Sequence, residues 1–144
     1  ESPGMTIDWN AGTISGGNGV DAGEGGNKVD DLVGWDFYNN DNNPMQNFAA
    51  NDHGTHVAGC AGAVGDNEIG VVGTCPNVSI LCCKGSSNTS PSTGVSYAYD
   101  QVKYAGEIGA DIINASWGSV GSGTYPNSIV NLSLIHISEH TRPY

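Results

Sequence analysis

The sequence predicts an α/β domain built on a parallel sheet with helices on both faces. Three observations carry that expectation. The runs "SIL" within "NVSILCCK" and "DII" within "ADIINASWG" are short and continuously apolar, as strands covered on both faces are. Between them, "GVSYAYDQVKYAGEIG" places Val95, Ala98, Tyr99, Val102 and Ile108 at roughly helical spacing. Strand, helix and strand in that order form a right-handed crossover between parallel strands.

The elements follow in chain order. Residues 1–44 are rich in Gly, Asn and Asp, and "SGGNGVDAGEGGNKVDD" reads as a long loop. Inside this part "LVGWDFY" has strand character. "NNDNNPMQNFAAND" is again loop, and then the grammar changes. "HGTHVAGCAGAVG" is small and apolar and follows Asn51 and Asp52, either of which caps a helix. Its Gly and Ala content gives little intrinsic helicity for so many glycines, so packing has to hold it, and its small side chains permit close approach by neighbours. "TCPN" turns the chain into the strand "NVSILCCK", and "GSSN" turns it out. After the second helix Gly109 is the stop signal, and the last strand turns at Gly118. Residues 1–132 thus form one unit, a loop-rich part over 1–44 and a helix–strand–helix–strand part over 45–132. The closing segment "SLIHISEHTRPY", residues 133–144, changes composition abruptly and reads as a non-native tail resembling translated sequencing adapter. The alternative is an ordinary C-terminal strand.

The 144 residues carry a formal charge of -11, with four Lys+Arg against fifteen Asp+Glu. Nucleic acid is excluded as a partner, because phosphate binding needs a basic face, and anionic lipid would repel the chain. No stretch is apolar and long enough to span a bilayer, and no secretion signal opens this piece. Cys60, Cys75, Cys82 and Cys83 form no CxxC pair, which gives zinc little support. Buried free thiols are the expectation, with one disulfide as the alternative.

The chemistry concentrates in "NDHGTHVAGC". An imidazole at a helix N-terminus feels the positive end of the dipole, which favours the neutral form a general base needs. Gly54 leaves room beside it. His53 and His56 fall on different faces, so they do different jobs. A zinc reading of "HGTH" fails on spacing, since the metalloprotease motif needs histidines at i and i+4 around a glutamate.

"HGTHVAG" resembles the histidine signature of subtilisin-like serine proteases, the subtilases. "DDLVGWDFYNNDNNP" resembles the segment ahead of that signature, and "EIGVVGTCPNVSILCCK" the stretch after it. "GADIINASWGS" resembles the strand that lines the substrate cleft. These segments cover roughly residues 18–119 in the family's order. The resemblance implies a three-layer fold truncated at both ends in this chain. It implies a secreted, monomeric endopeptidase acting on peptides or proteins through an Asp-His-Ser triad. His53 matches the triad histidine and His56 a structural one. Ser116, Trp117 and Gly118 match the cleft strand, where an extended substrate adds through main-chain hydrogen bonds. Plain core packing is the other reading of Trp117.

The resemblance also has gaps. No Asp-Thr/Ser-Gly motif precedes His53: Asp8 is followed by Trp9, and Asp21, followed by Ala22 and Gly23, sits in a glycine-rich loop. The family's oxyanion asparagine and Gly-Thr-Ser serine do not occur. Triad members act as a unit, so the chain alone is expected to be inactive.

Calcium is the implied cofactor. Asp36, Asn39, Asp41, Asn43 and Gln46 alternate oxygen-bearing side chains in a short loop, which suits a hard cation. That loop resembles a calcium loop of thermitase-type members. A solvated Asn/Asp turn is the alternative. A second set matches Asn67, Ile69 and Val71, one side chain and two carbonyls in the family. Asp21, Asp30 and Asp31 are a third candidate group. Two non-enzymatic readings stand beside the protease: an acidic, calcium-binding surface or adhesin module, and a pseudoprotease without a nucleophile.

Overall fold

A computed structural model of the chain describes residues 4–21, 28–46, 49–91 and 94–118. Its elements are strands β1 (Thr6–Asp8), β2 (Thr13–Ser15) and β3 (Gly34–Asp36), a 3-10 turn (Ala49–Asn51), helix α1 (His53–Gly62), strand β4 (Cys82–Lys84) and helix α2 (Ala98–Ile108). Among the described residues the strands form two two-stranded sheets, β1–β2 antiparallel and β3–β4 parallel. The mixture of a parallel ladder with helices is the α/β character expected of the sequence. The adapter-like tail lies outside the described residues.

The N-terminal hairpin corrects the reading of 1–44 as loop. Ile7 faces Ile14 in register, and the Asp8 carboxylate accepts the Asn10 and Ala11 amides at 2.9 Å each, which closes the turn. Strands of three residues are too short for alternation to stand out against the Gly, Asn and Asp that make such turns.

The parallel pair also differs from the expected one. β3 pairs with β4, in the register Gly34–Cys82, Trp35–Cys83 and Asp36–Lys84, so α1 lies in the crossover. Residues 112–118 form no ladder among the described residues, and Ile112 is 87% exposed. "DII" has the composition of a covered strand, but composition specifies burial without supplying the neighbouring strand that a ladder requires. "NVSILCCK" shortens to Cys82–Lys84 for the same reason: β3 reaches only that far.

Two glycines let the pieces meet. Gly34 has φ +125, and a Cβ there would stand 1.9 Å from the Cys82 carbonyl oxygen, so β3 and β4 pair closely only because that atom is missing. Gly73 is buried where a Cβ would meet the Ala63 nitrogen at 2.5 Å. The strap over 73–75 can therefore cross the end of α1, and it satisfies carbonyls that a helix C-terminus leaves open. Gly73, Thr74 and Cys75 amides donate to the carbonyls of Ala63, Cys60 and Ala61.

The core sits between β3 and α2. Trp35, Tyr104 and Ala105 are its buried apolar residues. Tyr104 meets Phe37 edge-on at 5.5 Å and donates its hydroxyl to the Asp31 carboxylate at 2.5 Å. The Lys28 ammonium lies 5.0 Å from the Trp35 ring centroid and 5.2 Å from that of Phe37, a cation–π arrangement. Gly109 ends α2 in the left-handed conformation at φ 91, as its sequence position implies. All four cysteines are free, but the expectation of burial fails: Cys60, Cys75 and Cys82 are exposed and Cys83 is half-buried. They lie on the helix end, the strap and a sheet with one covered face, where small side chains stay open to solvent.

Candidate active site

His53 is the first residue of α1, and its side chain is exposed. Asp52 takes the N-cap position with φ -79 and ψ -8, but its side chain makes no capping hydrogen bond. The free N–H groups of the first turn therefore remain near the imidazole. Gly54 has no atom within 4 Å of where a Cβ would be, which leaves the approach to His53 open. Among the described residues the His53 ring has no hydrogen-bond partner. His56 lies one turn further on, with its amide bonded to the Asp52 carbonyl at 2.9 Å.

Two side chains fasten the turn that presents His53. Asn51 Nδ2 donates to the carbonyls of Ser87 and Ser90, at 3.2 and 3.4 Å. Thr55 Oγ1 donates to Gln46 Oε1 at 2.9 Å. The 3-10 turn and α1 are thereby held to the loop after β4 on one side and to the 36–46 loop on the other.

Ser116, Trp117 and Gly118 are exposed and unladdered. Asn114 Nδ2 donates to Ser116 Oγ at 2.8 Å, and Trp117 meets Tyr99 edge-on at 5.9 Å. No hydrogen bond or ring contact joins these residues to His53 among the described residues.

The two calcium-candidate loops differ in how well they fit a cation. Asp36 is fully buried and every acceptor site of its carboxylate is used. Oδ1 takes the Tyr38 and Asn39 amides at 2.9 and 3.0 Å, and Oδ2 takes Asn39 Nδ2 at 2.8 Å and the Lys84 ammonium at 2.6 Å. Further along the loop, Asp41 Oδ1 accepts the Asn43 amide, and Asn43 Oδ1 accepts that of Met45. Asn43 Nδ2 also reaches the Gly12 carbonyl at 3.2 Å. In this arrangement Asp36 and Asn39 do not fit a divalent cation. The second loop is more open. Asp66, Glu68 and Gly70 all have positive φ and coil the chain around an open cavity of about 150 Å3, lined by residues 64–72. Asn67, Ile69 and Val71 belong to its lining, as do Asp66 and Glu68. Asn67 Oδ1 already accepts the Ile69 amide at 3.1 Å. Of the third group, Asp30 accepts the Asn18 and Gly19 amides at 3.0 Å each and Asp21 accepts that of Lys28. Among the described residues no three His, Cys, Asp or Glu side chains cluster as a metal site.

Comparison with known proteins decides the family. The model of the subtilase family matches residues 8–141. The chain belongs to the subtilase family. Thermitase of Thermoactinomyces vulgaris is 41% identical over 95 residues, which are 66% of this chain and 31% of that protein. A thermophilic serine proteinase of Bacillus sp. (strain AK1) is 41% identical over 87 residues, 60% of this chain and 21% of the relative. Subtilisin-like protease 1 of Plasmodium falciparum is 44% identical over 78 residues, 54% and 11%. This subtilase spans less than a third of the length of these relatives. No solved structure matches it. The matched range takes in the site residues from Asp36 to Gly118 and runs on to residue 141. No helix of the described residues is long and apolar enough to cross a membrane.

Sequence reasoning placed His53 at the start of a helix but missed what holds that turn. Asn51 was read only as a cap, and Lys84 only as the end of a strand. The signal available was a lysine ending an apolar strand, 48 residues after an aspartate that also ends a strand.

Proposed function

We propose that this subtilase carries the proton-transferring histidine of a secreted serine endopeptidase that cleaves peptide bonds in protein substrates and works as a monomer. The observation that carries the reading is His53, exposed at the uncapped N-terminus of α1, inside a family match that covers the helix and its flanks. The imidazole accepts the proton of a serine hydroxyl as that oxygen attacks the scissile carbonyl, and returns it to the leaving amine. In the whole protein a buried aspartate would hold the ring's other nitrogen. Asn51 and Thr55 keep the ring's backbone fixed while the proton moves, through their ties to Ser87, Ser90 and Gln46. Residues 116–118 supply the wall: their unladdered backbone is open to an extended substrate, with Trp117 beside it.

Calcium belongs to this proposal through the second loop. Asn67 Oδ1 and the Ile69 and Val71 carbonyls would hold the ion, which when bound supplies a fixed charge that closes the loop after α1. An Asn67→Ala change is expected to weaken calcium binding to the chain in calorimetry.

The decisive experiment recovers the whole reading frame and assays it on a fluorogenic peptide. Hydrolysis blocked by a serine-directed sulfonyl fluoride, and reduced about 10^4-fold or more in kcat by His53→Ala, is the expected result. A full-length protein that hydrolyses normally with His53→Ala refutes the role of His53. The 144-residue chain alone is expected to give no turnover above buffer, since the other triad members are not identified in it.

A further inference from the structure

Lys84 is a fully engaged cation. An ammonium has three donors. Those of Lys84 reach Asp36 Oδ2 at 2.6 Å, the Ser86 carbonyl at 2.9 Å and Asn88 Oδ1. Its side chain is 9% exposed and that of Asp36 is 0% exposed. The charges are therefore shielded from water, and the bond between them completes the hydrogen bonding of both. Such a pair is costly to break from one side, because the partner left behind is a buried charge.

The sequence pattern of the 36–46 loop suits a hard cation, but the positive charge at its head is already supplied. A divalent ion on Asp36 would share Oδ2 with the ammonium at short range and be repelled by it. Asn39 adds to the conflict. Because a carboxylate only accepts, the Asn39 amide must turn its NH2 towards Asp36, which takes its carbonyl away from any ion at that carboxylate.

The position of Lys84 gives the pair a wider reach. Asp36 ends β3 and bridges to Asp41 through paired backbone bonds, so the carboxylate anchors the start of the loop. Ser86 and Asn88 begin the loop after β4, whose Ser87 and Ser90 carbonyls receive Asn51, two residues ahead of His53.

We propose that Lys84 is the resident cation of the 36–46 loop, closing it on Asp36 in place of a divalent ion and clamping it to the 86–90 segment beside the His53 turn. The inference does not depend on hydrolytic activity, so its failure and that of the protease reading are told apart.

Amide hydrogen exchange of the full chain, followed residue by residue by NMR, is the test. Tyr38 and Asn39 donate their amides to Asp36 and report on it directly. In the wild type their exchange is expected to be the same with excess calcium as with a chelator. In Lys84→Met it is expected to rise about a hundredfold, from loss of one partner of a buried pair. Lys84→Arg, which keeps the charge, is expected to restore much of the protection. A wild-type chain whose Tyr38 and Asn39 amides slow on adding calcium, with the response removed by Asp36→Asn, overturns the proposal. So does Lys84→Met with unchanged exchange at both amides. If Lys84→Met does not fold, the calcium comparison on the wild type decides alone.

Discussion

Replacing Gly34 by alanine is expected to separate β3 from β4 and with them the scaffold of the site. At φ +125 an L side chain is strained, at a cost of about 1–3 kcal/mol. The new methyl would stand 1.9 Å from the Cys82 carbonyl oxygen, where real Cβ contacts begin at 3.0 Å. The obstacle is backbone, so relief means moving one strand. That motion strains the Cys82 amide bond to Val33 and the Phe37 amide bond to Lys84, at 3.0 and 2.7 Å, each worth about 1 kcal/mol net. It also pulls on the Asp36–Lys84 pair, whose one-sided rupture costs about 3–5 kcal/mol. Together these reach the size of a typical small domain's whole stability, about 5–15 kcal/mol. The assay is a urea melt by circular dichroism, with Gly59→Ala as companion. Gly59 lies in α1 with no atom within 4 Å of an added Cβ, and alanine there is expected to stabilise by about 0.8–1 kcal/mol. Opposite signs at two glycines separate steric demand from propensity. If Gly34→Ala melts within about 1 kcal/mol of wild type, the close-approach argument is wrong.

Two further outcomes follow from the core and the thiols. Tyr104→Phe keeps the edge contact with Phe37 but removes the hydroxyl bond to half-buried Asp31, and is expected to destabilise by about 1–2 kcal/mol. A double-mutant cycle with Asp31→Asn that shows no coupling would refute it. Burial, and then the charge of neighbouring Cys82, push the Cys83 thiol from 9.0 up to about 12. The folded state thus holds its proton more tightly than the unfolded one. This contribution to stability is complete below about pH 9 and is lost as pH rises from there towards about 12. Near pH 8 the thiolate of Cys83 is a fraction of about 10^-4, so iodoacetamide should label exposed Cys60 and Cys75 long before it. Equal labelling rates in mass spectrometry would contradict the shift.

The sequence was most legible where one residue type has one physical use. Gly109 stops α2 and the small residues of "HGTHVAGCAG" admit the strap over 73–75, both as local rules imply, whereas neither Asn51 nor Asp52 caps α1 with its side chain. It was least legible where structure depends on a partner. β1 and β2 are strands because Thr6–Asp8 and Thr13–Ser15 meet each other, and nothing within either triplet says so. "DII" reads as a covered strand, yet Ile112 stands 87% exposed, because no neighbouring strand pairs with it among the described residues.

The same distinction governs the site. The helix start at His53 could be read from the chain because the change from Asn- and Asp-rich loop to small apolar residues is local. Lys84 could not, because its role needs Asp36, 48 residues away, to end the strand paired with its own. Register then has a chemical consequence: the parallel alignment of Asp36 with Lys84 puts both side chains on one face and supplies the loop's positive charge from inside the sheet. A spacing of Asp and Asn that suggests an ion is therefore incomplete evidence in this subtilase. The oxygen pattern says only that a positive charge belongs there, and the strand opposite determines whether a side chain already provides it.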